Sequence, residues 1–354
     1  MNGLPALLCL VPASDDCAYF LSKYRVELSS AYEVVTPKWE VMETLIDKRR
    51  QYEKAQSLGI PIPKTYFPDD IEAVRELAAN LKNYPYVIKP LVAHSWRRAA
   101  MKSASQGKKG FSVANPQELI SRYQHIARSD KQVMSQEVIG GSDERLFTFM
   151  SYFDTQSRPI AYCIRKKVRQ LPIDFGYCTM TVSCHDKVVK EQSIRLLRGL
   201  GYHGLAGVEW KLDPNSGIYK LIEVNARAVN TTAIAPACGV DLPYIAWLDR
   251  IDGRAPRVTE WQDGIKWLDW EQDLWAAREL HRAGKLGLRQ WWRSMGGPKI
   301  DAVYAADDIR PFVGQSLSSL KLQATRFWGR RTAAWVRLSA AIGANRAAAA
   351  GFRS

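Results

Sequence analysis

The chain has 354 residues, 46% of them hydrophobic and 24% charged, with 50 Lys and Arg against 36 Asp and Glu for a formal net charge of +14. That length and apolar fraction exclude a disordered chain and support a core divided over two or three lobes. The positive balance points to anionic partners such as nucleotides, acidic or phosphorylated substrates or anionic lipid, while no nucleic-acid-binding motif is present and no such partner is expected.

In chain order, Leu4 to Val11 is apolar but lacks the charged start and cleavage site of a signal peptide, so it reads as a buried first strand ending before Asp15 and Asp16. A helix near Tyr19 to Leu28 and a strand at Tyr32 to Val35 make little more than half of a doubly wound domain. From Pro37 to Leu58, the spacing of Val41, Leu45, Tyr52 and Ala55 predicts one long helix, stopped by Gly59 and Ile60-Pro61-Ile62-Pro63. Residues 71–82 predict a second helix, and Tyr84 to Pro90 a strand closed by Pro. Residues 91–112 carry five Lys or Arg, four Ser and two Gly and read as a loop ending in a strand near Phe111 to Val113. A helix after Asn115-Pro116 precedes a strand at Gln132 to Ile139. Strands recur at Arg145 to Phe153, Ile160 to Val168, Cys178 to Val182, Gly207 to Leu212 and Tyr219 to Val224, with a helix at Val188 to Leu200. This mixture predicts an α+β core.

Beyond about residue 254 the composition becomes Trp-rich and then basic. Arg310 to Ser354 holds eight Lys or Arg and no acidic residue. Trp328, Trp335 and Ile342 stand at heptad spacing with Arg326, Arg330 and Arg337 away from them, which predicts a basic amphipathic helix. It would pack on the protein's own surface or touch anionic membrane peripherally. No apolar run reaches the roughly 20 residues of a spanning helix. The six Cys form no CxxC pair and no cluster with His at metal-ligand spacing, so zinc has little support and the thiols read as reduced and cytoplasmic.

The most informative segment is Gly207 to Asp213 followed by Ile218 to Arg227. The turn Pro214-Asn215-Ser216-Gly217 joins two strands into a hairpin, and alternation separates Glu209, Lys211 and Asp213 from Val208, Trp210 and Leu212. Glu223, Asn225 and Arg227 are two apart and share a side. Two carboxylates and an amide oxygen converging there suit Mg²⁺, and Arg227 suits the oxygens of phosphate or carboxylate. Alternating charges on the wet face of a hairpin would explain any one of these residues, but not the whole set as readily.

Glu209 with Glu223-Val224-Asn225-Ala226-Arg227 resembles the closing signature of the ATP-grasp superfamily. The resemblance implies that Glu209, Glu223 and Asn225 hold one or two Mg²⁺ ions, with Mn²⁺ as an alternative, and that Arg227 contacts the acyl phosphate or substrate. Upstream, Asp47-Lys48 resembles the segment whose Lys reaches ATP phosphate. Val87-Ile88-Lys89-Pro90 resembles the strand whose Lys spans the α and β phosphates. Gln136-Glu137-Val138-Ile139-Gly140-Gly141-Ser142-Asp143-Glu144 resembles the hinge between the two lobes. There the backbone near Glu137 and Ile139 would read adenine, Ile139 would pack on its ring, and Asp143 or Glu144 would bind the ribose. Lys167 and Arg169 stand where relatives place basic residues on γ-phosphate or substrate.

The resemblance covers residues 40–250 and implies an ATP-grasp fold, two α+β lobes gripping ATP. The implied domains are a reduced N-terminal α/β lobe at 1–63, a small lobe at 64–139, a large lobe with the Mg²⁺ site at 140–253 and a helical, basic C-terminal extension at 254–354. Two features depart from the family pattern. The phosphate-covering loop has only Gly107 and Gly110, with Arg97, Arg98, Lys102, Lys108 and Lys109 in place of a Gly-rich run, and the N-terminal lobe is short. The implied activity is that of an ATP-dependent carboxylate-amine ligase acting through an acyl phosphate. Within the superfamily the motifs resemble carboxylate-amine ligases associated with cell-surface glycan or peptidoglycan modification, D-aspartate ligase-like members among them. The implied substrates are a small carboxylate and an amine, and the competing reading is a non-catalytic ATP-binding protein at the membrane.

Overall fold

A computed structural model describes residues 8–92, 95–97, 110–173 and 175–318. The chain divides into two compact units, Met1–Ile300 and Asp301–Ser354. The first begins with β1 (Cys9–Leu10) parallel to β2 (Glu33–Val34), with helices Asp15–Lys23 and Arg25–Leu28 between them. Ser14 starts the first of these helices by accepting from the Cys17 N–H, satisfying one of the donors that a helix N-terminus leaves unpaired.

The single helix expected from Pro37 to Leu58 is two, Trp39–Ile46 and Lys48–Ser57. Asp47 lies between them in an extended conformation (φ −86°, ψ 115°), and its carboxylate accepts from the Arg49 and Arg50 N–H groups. The Lys48 N–H is drawn off to the Leu91 carbonyl at 2.9 Å. The break therefore places Lys48 at the first turn of a new helix instead of inside an old one.

A four-stranded sheet follows in the order β3 (Thr65–Tyr66), β6 (Val133–Glu137), β4 (Tyr86–Pro90), β5 (Phe111–Val113). Helices Ile71–Asn80 and Pro116–Ala127 pack with it around a core that includes Val74, Tyr86, Ile88, Phe111, Leu119 and Ile126. Because side chains alternate along a strand, Tyr86 and Ile88 in that core put Val87 and Lys89 on the other face.

The larger sheet has seven strands in the order β11 (Tyr219–Asn225), β10 (Gly204–Leu212), β7 (Leu146–Phe153), β8 (Pro159–Leu171), β9 (Tyr177–Ser183), β12 (Lys266–Leu268), β13 (Lys299–Asp301). Phe149, Val208, Trp210 and Leu221 point into a core shared with the helix Lys187–Leu200. Trp210 is fully buried, and its indole N–H donates to Ser193 Oγ at 2.8 Å. Truncating it to Ala would cost about 3–5 kcal/mol. The helix ends at Gly201, whose φ of 66° is a left-handed cap that glycine adopts without strain.

The segment after 253 is not helical throughout, because β12 adds to β9 in antiparallel register. Helices Trp270–Arg282 and Leu288–Ser294 follow it. In the second unit residues 310–318 are helical. Trp328, Trp335, Ile342, Arg326, Arg330 and Arg337 lie outside the described residues, as do Arg98, Lys102, Gly107, Lys108 and Lys109. Among the described residues no helix is long and apolar enough to cross a membrane.

Candidate functional site

The β10–β11 hairpin sets Glu209 directly opposite Glu223 and Gly207 opposite Asn225. Two carboxylates facing each other across a sheet repel, so the arrangement needs a cation. Lys48 supplies one, with its Nζ 2.6 Å from Glu223 Oε1 and its residue only 7% exposed. Asn225 Nδ2 is 3.5 Å from Glu209 Oε1, and Arg227 Nη2 donates to Asn225 Oδ1 at 3.1 Å. Arg227 Nε in turn donates to Asp15 Oδ1 at 2.6 Å. Glu209, Asn225, Arg227 and Asp15 are thus linked by hydrogen bonds, and the Lys48–Glu223 pair lies directly across the hairpin from Glu209.

The helix that carries Lys48 is tied to the strand that carries Glu223. Tyr52 donates its hydroxyl to the Ile222 carbonyl at 2.7 Å, and Gln51 Oε1 accepts from the Val224 N–H at 3.4 Å. Burial alone would lower the Lys48 ammonium, but Glu223, Tyr52 and Glu209 outweigh it and hold the group above its ordinary range. Burial would raise Glu223, and the Lys48 charge outweighs that and holds it below the usual carboxylate range. The pair is therefore charged on both sides at neutral pH. A cavity of about 40 Å³ adjoins it, with Asp15, Lys48, Glu223 and Asn225 as its polar wall and Ala18, Met42 and Leu45 among its apolar lining.

Among the described residues no three His, Cys, Asp or Glu form a metal-holding group. The donor set is instead two carboxylates and one amide oxygen, and a buried ammonium already rests on one of those carboxylates. Hard oxygen donors in that number fit a divalent cation whose remaining positions go to phosphate and water.

From the smaller sheet, Lys89 Nζ donates to Gln136 Oε1 at 3.1 Å, and Gln136 Nε2 donates to Thr65 Oγ1 at 2.9 Å. Gln136 is buried and braces Lys89 from the neighbouring strand. The Glu137 carboxylate takes the Lys64 N–H at 2.9 Å and the Lys220 ammonium at 2.6 Å, so its side chain serves as a tie between the sheets. Ile139 is half-buried beyond it. Asp143 and Glu144 share a single 3₁₀ turn, Asp143–Arg145, and differ in their surroundings. Asp143 Oδ1 accepts from Gln170 Nε2 at 2.8 Å, and Gln170 Oε1 accepts from Lys167 Nζ at 3.0 Å. Glu144 is exposed. Lys167 thus joins the Asp143 end of the site.

Arg169 does not. The pairing of β8 with β9 shifts between Lys167, opposite Thr181, and Arg169, opposite Met180, which turns Arg169 to the other face of the sheet. There it forms a bidentate pair with Asp273, Nε to Oδ1 at 2.7 Å and Nη2 to Oδ2 at 2.8 Å, and Nη1 donates to Ser294 Oγ. Arg169 is 4% exposed and Asp273 fully buried. Arg169, expected on phosphate or substrate, is instead engaged here with Asp273 of helix Trp270–Arg282 and Ser294 of helix Leu288–Ser294.

Sequence reasoning missed Asp15, Tyr52, Gln170, Lys211 and Lys220. Asp15 is 212 positions from the arginine it holds, and no local pattern signals such a contact. A groove of about 600 Å³ bordered by Arg49, Phe67 and Leu77 contains none of the predicted site residues.

The family model described as the ATP-binding domain of the carbamoyl-phosphate synthase L chain matches residues 179–248, the stretch that holds Glu209, Glu223, Asn225 and Arg227. A D-aspartate ligase of Enterococcus faecium (strain Aus0004) is 24% identical over 248 residues, covering 68% of this chain and 58% of that enzyme. The biotin carboxylase of Campylobacter jejuni, solved as a β,γ-ATP complex, superposes with a TM-score of 0.54 at 18% identity, over 67% of this chain and 53% of that one. An L-amino acid ligase of Bacillus licheniformis superposes with a TM-score of 0.50 at 15% identity, over 67% of this chain and 54% of the other. The chain therefore spans little more than half the length of these proteins.

Proposed function

Because the chain has the ATP-grasp fold, we propose that it is an ATP-dependent ligase that joins a carboxylate to an amine with release of ADP and phosphate. The observation that carries this reading is the meeting of Glu209, Glu223 and Asn225 with Lys48 and Arg227 at the end of one hairpin. Glu209, Glu223 and Asn225 would hold Mg²⁺, or Mn²⁺ in its place, which when bound offsets negative charge on the nucleotide phosphates.

Around that ion the chain's own residues have separable tasks. Lys48 exchanges its carboxylate partner for a phosphate oxygen, and Lys89 approaches the phosphates from the opposite sheet. The backbone from Gln136 to Ile139 reads the base, Ile139 packs on it, and Asp143, already tied to Lys167, takes the ribose hydroxyls. Lys167 would leave Gln170 for the γ-phosphate. Arg227, held at its Nε edge by Asp15, turns the positive charge of its guanidinium to the substrate carboxylate or acyl phosphate.

A carboxylate oxygen attacks the γ-phosphorus and ADP leaves with the bridging oxygen. The amine then attacks the acyl carbon, phosphate departs with the C–O electron pair, and the nitrogen loses a proton. Such chemistry requires fixed positive charge and alignment more than a protein nucleophile. The likeness to an enzyme named D-aspartate ligase supports an amino-acid carboxylate as the activated group. A product in cell-surface glycan or peptidoglycan is the finer reading, drawn from the motif resemblance.

The test is a panel of amino acids and sugar acids assayed for stimulated ADP release, with hydroxylamine added to trap an activated acyl group. One carboxylate class should stimulate release and yield its hydroxamate. Nucleotide binding with no stimulation by any carboxylate would favour the non-catalytic ATP-binding reading.

A further inference from the structure

Lys211 and Lys220 are register partners across β10 and β11. Two like charges directly opposite each other weaken a strand pair unless something else engages them. Both are engaged by the segment 137–142 that joins the two sheets. Lys220 Nζ lies 2.6 Å from Glu137 Oε1 and 3.1 Å from Asp213 Oδ2. Lys211 Nζ donates to the Ser142 carbonyl at 2.8 Å and the Gly141 carbonyl at 3.3 Å.

These contacts are sheltered. Lys211 is 7% exposed, and the side chains of Lys220, Glu137 and Asp213 are 15%, 19% and 11% exposed. Solvent screening therefore removes less of their strength than it removes from a surface ion pair. The base of the grip is also fixed, because Asp213 accepts from the Asn215 N–H and the Ser216 hydroxyl and so holds the 213–217 turn. The hairpin thus presents two lysines that are unfavourable by themselves to a segment that offers one carboxylate and two carbonyls.

We propose that Lys211 and Lys220 are positioning residues that hold the backbone of residues 137–142 where it discriminates the nucleotide base. This rests on the nucleotide-binding reading above. Recognition of a base by backbone donors and acceptors needs those groups fixed to within a fraction of an ångström, whereas the phosphates are held from elsewhere, by Lys48, Lys89 and the metal ligands. Loosening the segment therefore removes base preference before it removes phosphate affinity.

The experiment compares the full chain with Lys220→Met and Lys211→Met. ATP, GTP and inorganic tripolyphosphate affinities are measured with Mg²⁺, together with amide hydrogen exchange over residues 137–145. The wild-type chain should prefer ATP to GTP, and each variant should lose that preference by roughly tenfold, the size expected from one charge-assisted hydrogen bond. Tripolyphosphate affinity should stay within twofold of wild type, and exchange should quicken in the segment. Lys220→Arg, which keeps a positive charge between Glu137 and Asp213, should retain much of the preference. Unchanged preference and unchanged exchange in both variants would overturn the lysine assignment alone, and an equal loss for all three ligands would overturn it by showing a general effect on the site. A wild-type chain that binds neither nucleotide would bring down the ligase reading and the base-reading role together, while the exchange data would still report whether the lysines hold the segment.

Discussion

Substituting Asp273 by Asn separates anchoring from catalysis at Arg169. Asp273 is fully buried and accepts from Arg169 Nε and Nη2 at 2.7 and 2.8 Å, from Thr179 Oγ1 at 3.0 Å and from Trp291 Nε1 at 2.9 Å. An amide of the same shape turns one of those acceptor oxygens into a donor. It faces either Arg169 and Trp291 or Arg169 and Thr179, and it leaves a buried guanidinium without a counter-charge. Breaking a buried pair from one side costs about 3–5 kcal/mol. At about 2 °C per kcal/mol for a unit of this size, the melting temperature should fall by roughly 6–10 °C. Calorimetric melts give the stability, and ATP affinity measured well below the transition gives the site. The expected result is a large loss of stability with nucleotide affinity within twofold of wild type. Melting within 2 °C of wild type combined with collapse of nucleotide binding or ADP release would return Arg169 to the phosphate site.

Lys89→Ala should weaken ATP binding by about 1.5–3 kcal/mol, the range for a hydrogen bond to a charged group, and unchanged affinity by calorimetric titration would place Lys89 outside the site. Glu223→Gln and Asn225→Ala should each abolish Mg²⁺-dependent ADP release while the fold persists by circular dichroism, and comparable release at saturating Mg²⁺ would remove the metal assignment. His203 is buried, and burial with the nearby Arg25 charge pushes its imidazole down to about 4 from 6.5, against the opposing pull of the Thr36 carbonyl. Below pH 6.5 the unfolded chain binds a proton there that the folded chain refuses, so stability present above 6.5 is lost as the pH falls toward 4, by up to about 3 kcal/mol. Urea midpoints from pH 7 to 4.5 should fall less steeply for His203→Gln, and parallel curves would show that His203 accepts its proton in the folded state.

The order of strands and helices was legible because alternation and helical spacing are local. The predicted strands Gly207 to Leu212 and Tyr219 to Val224 match β10 and β11 at one end each, and Glu209, Glu223 and Asn225 could be grouped from a turn and a period of two. What a local pattern could not show depended on distant contacts. The helix breaks at Asp47 because the chain there bridges to Val92 and Lys48 donates to Leu91, more than 40 positions away. Arg169 turned over because strand pairing slipped by one residue, which no side-chain pattern announces. β12 and β13 are three residues each, too short to carry a period. Lys211 and Lys220 did leave a signal, since a hairpin that opposes two lysines requires acidic or carbonyl partners from elsewhere.

Transfer of oxygen from the carboxylate to phosphate distinguishes an acyl phosphate from any other route to the amide. With the stimulating carboxylate labelled with ¹⁸O at both oxygens and the reaction run in ordinary water with the amine present, an acyl phosphate requires that each phosphate released carry one ¹⁸O. The released phosphate should carry that label, with the other ¹⁸O retained in the amide. Unlabelled phosphate formed at the same rate as the amide product would contradict it, because the carboxylate would then have been joined without ever accepting the phosphoryl group.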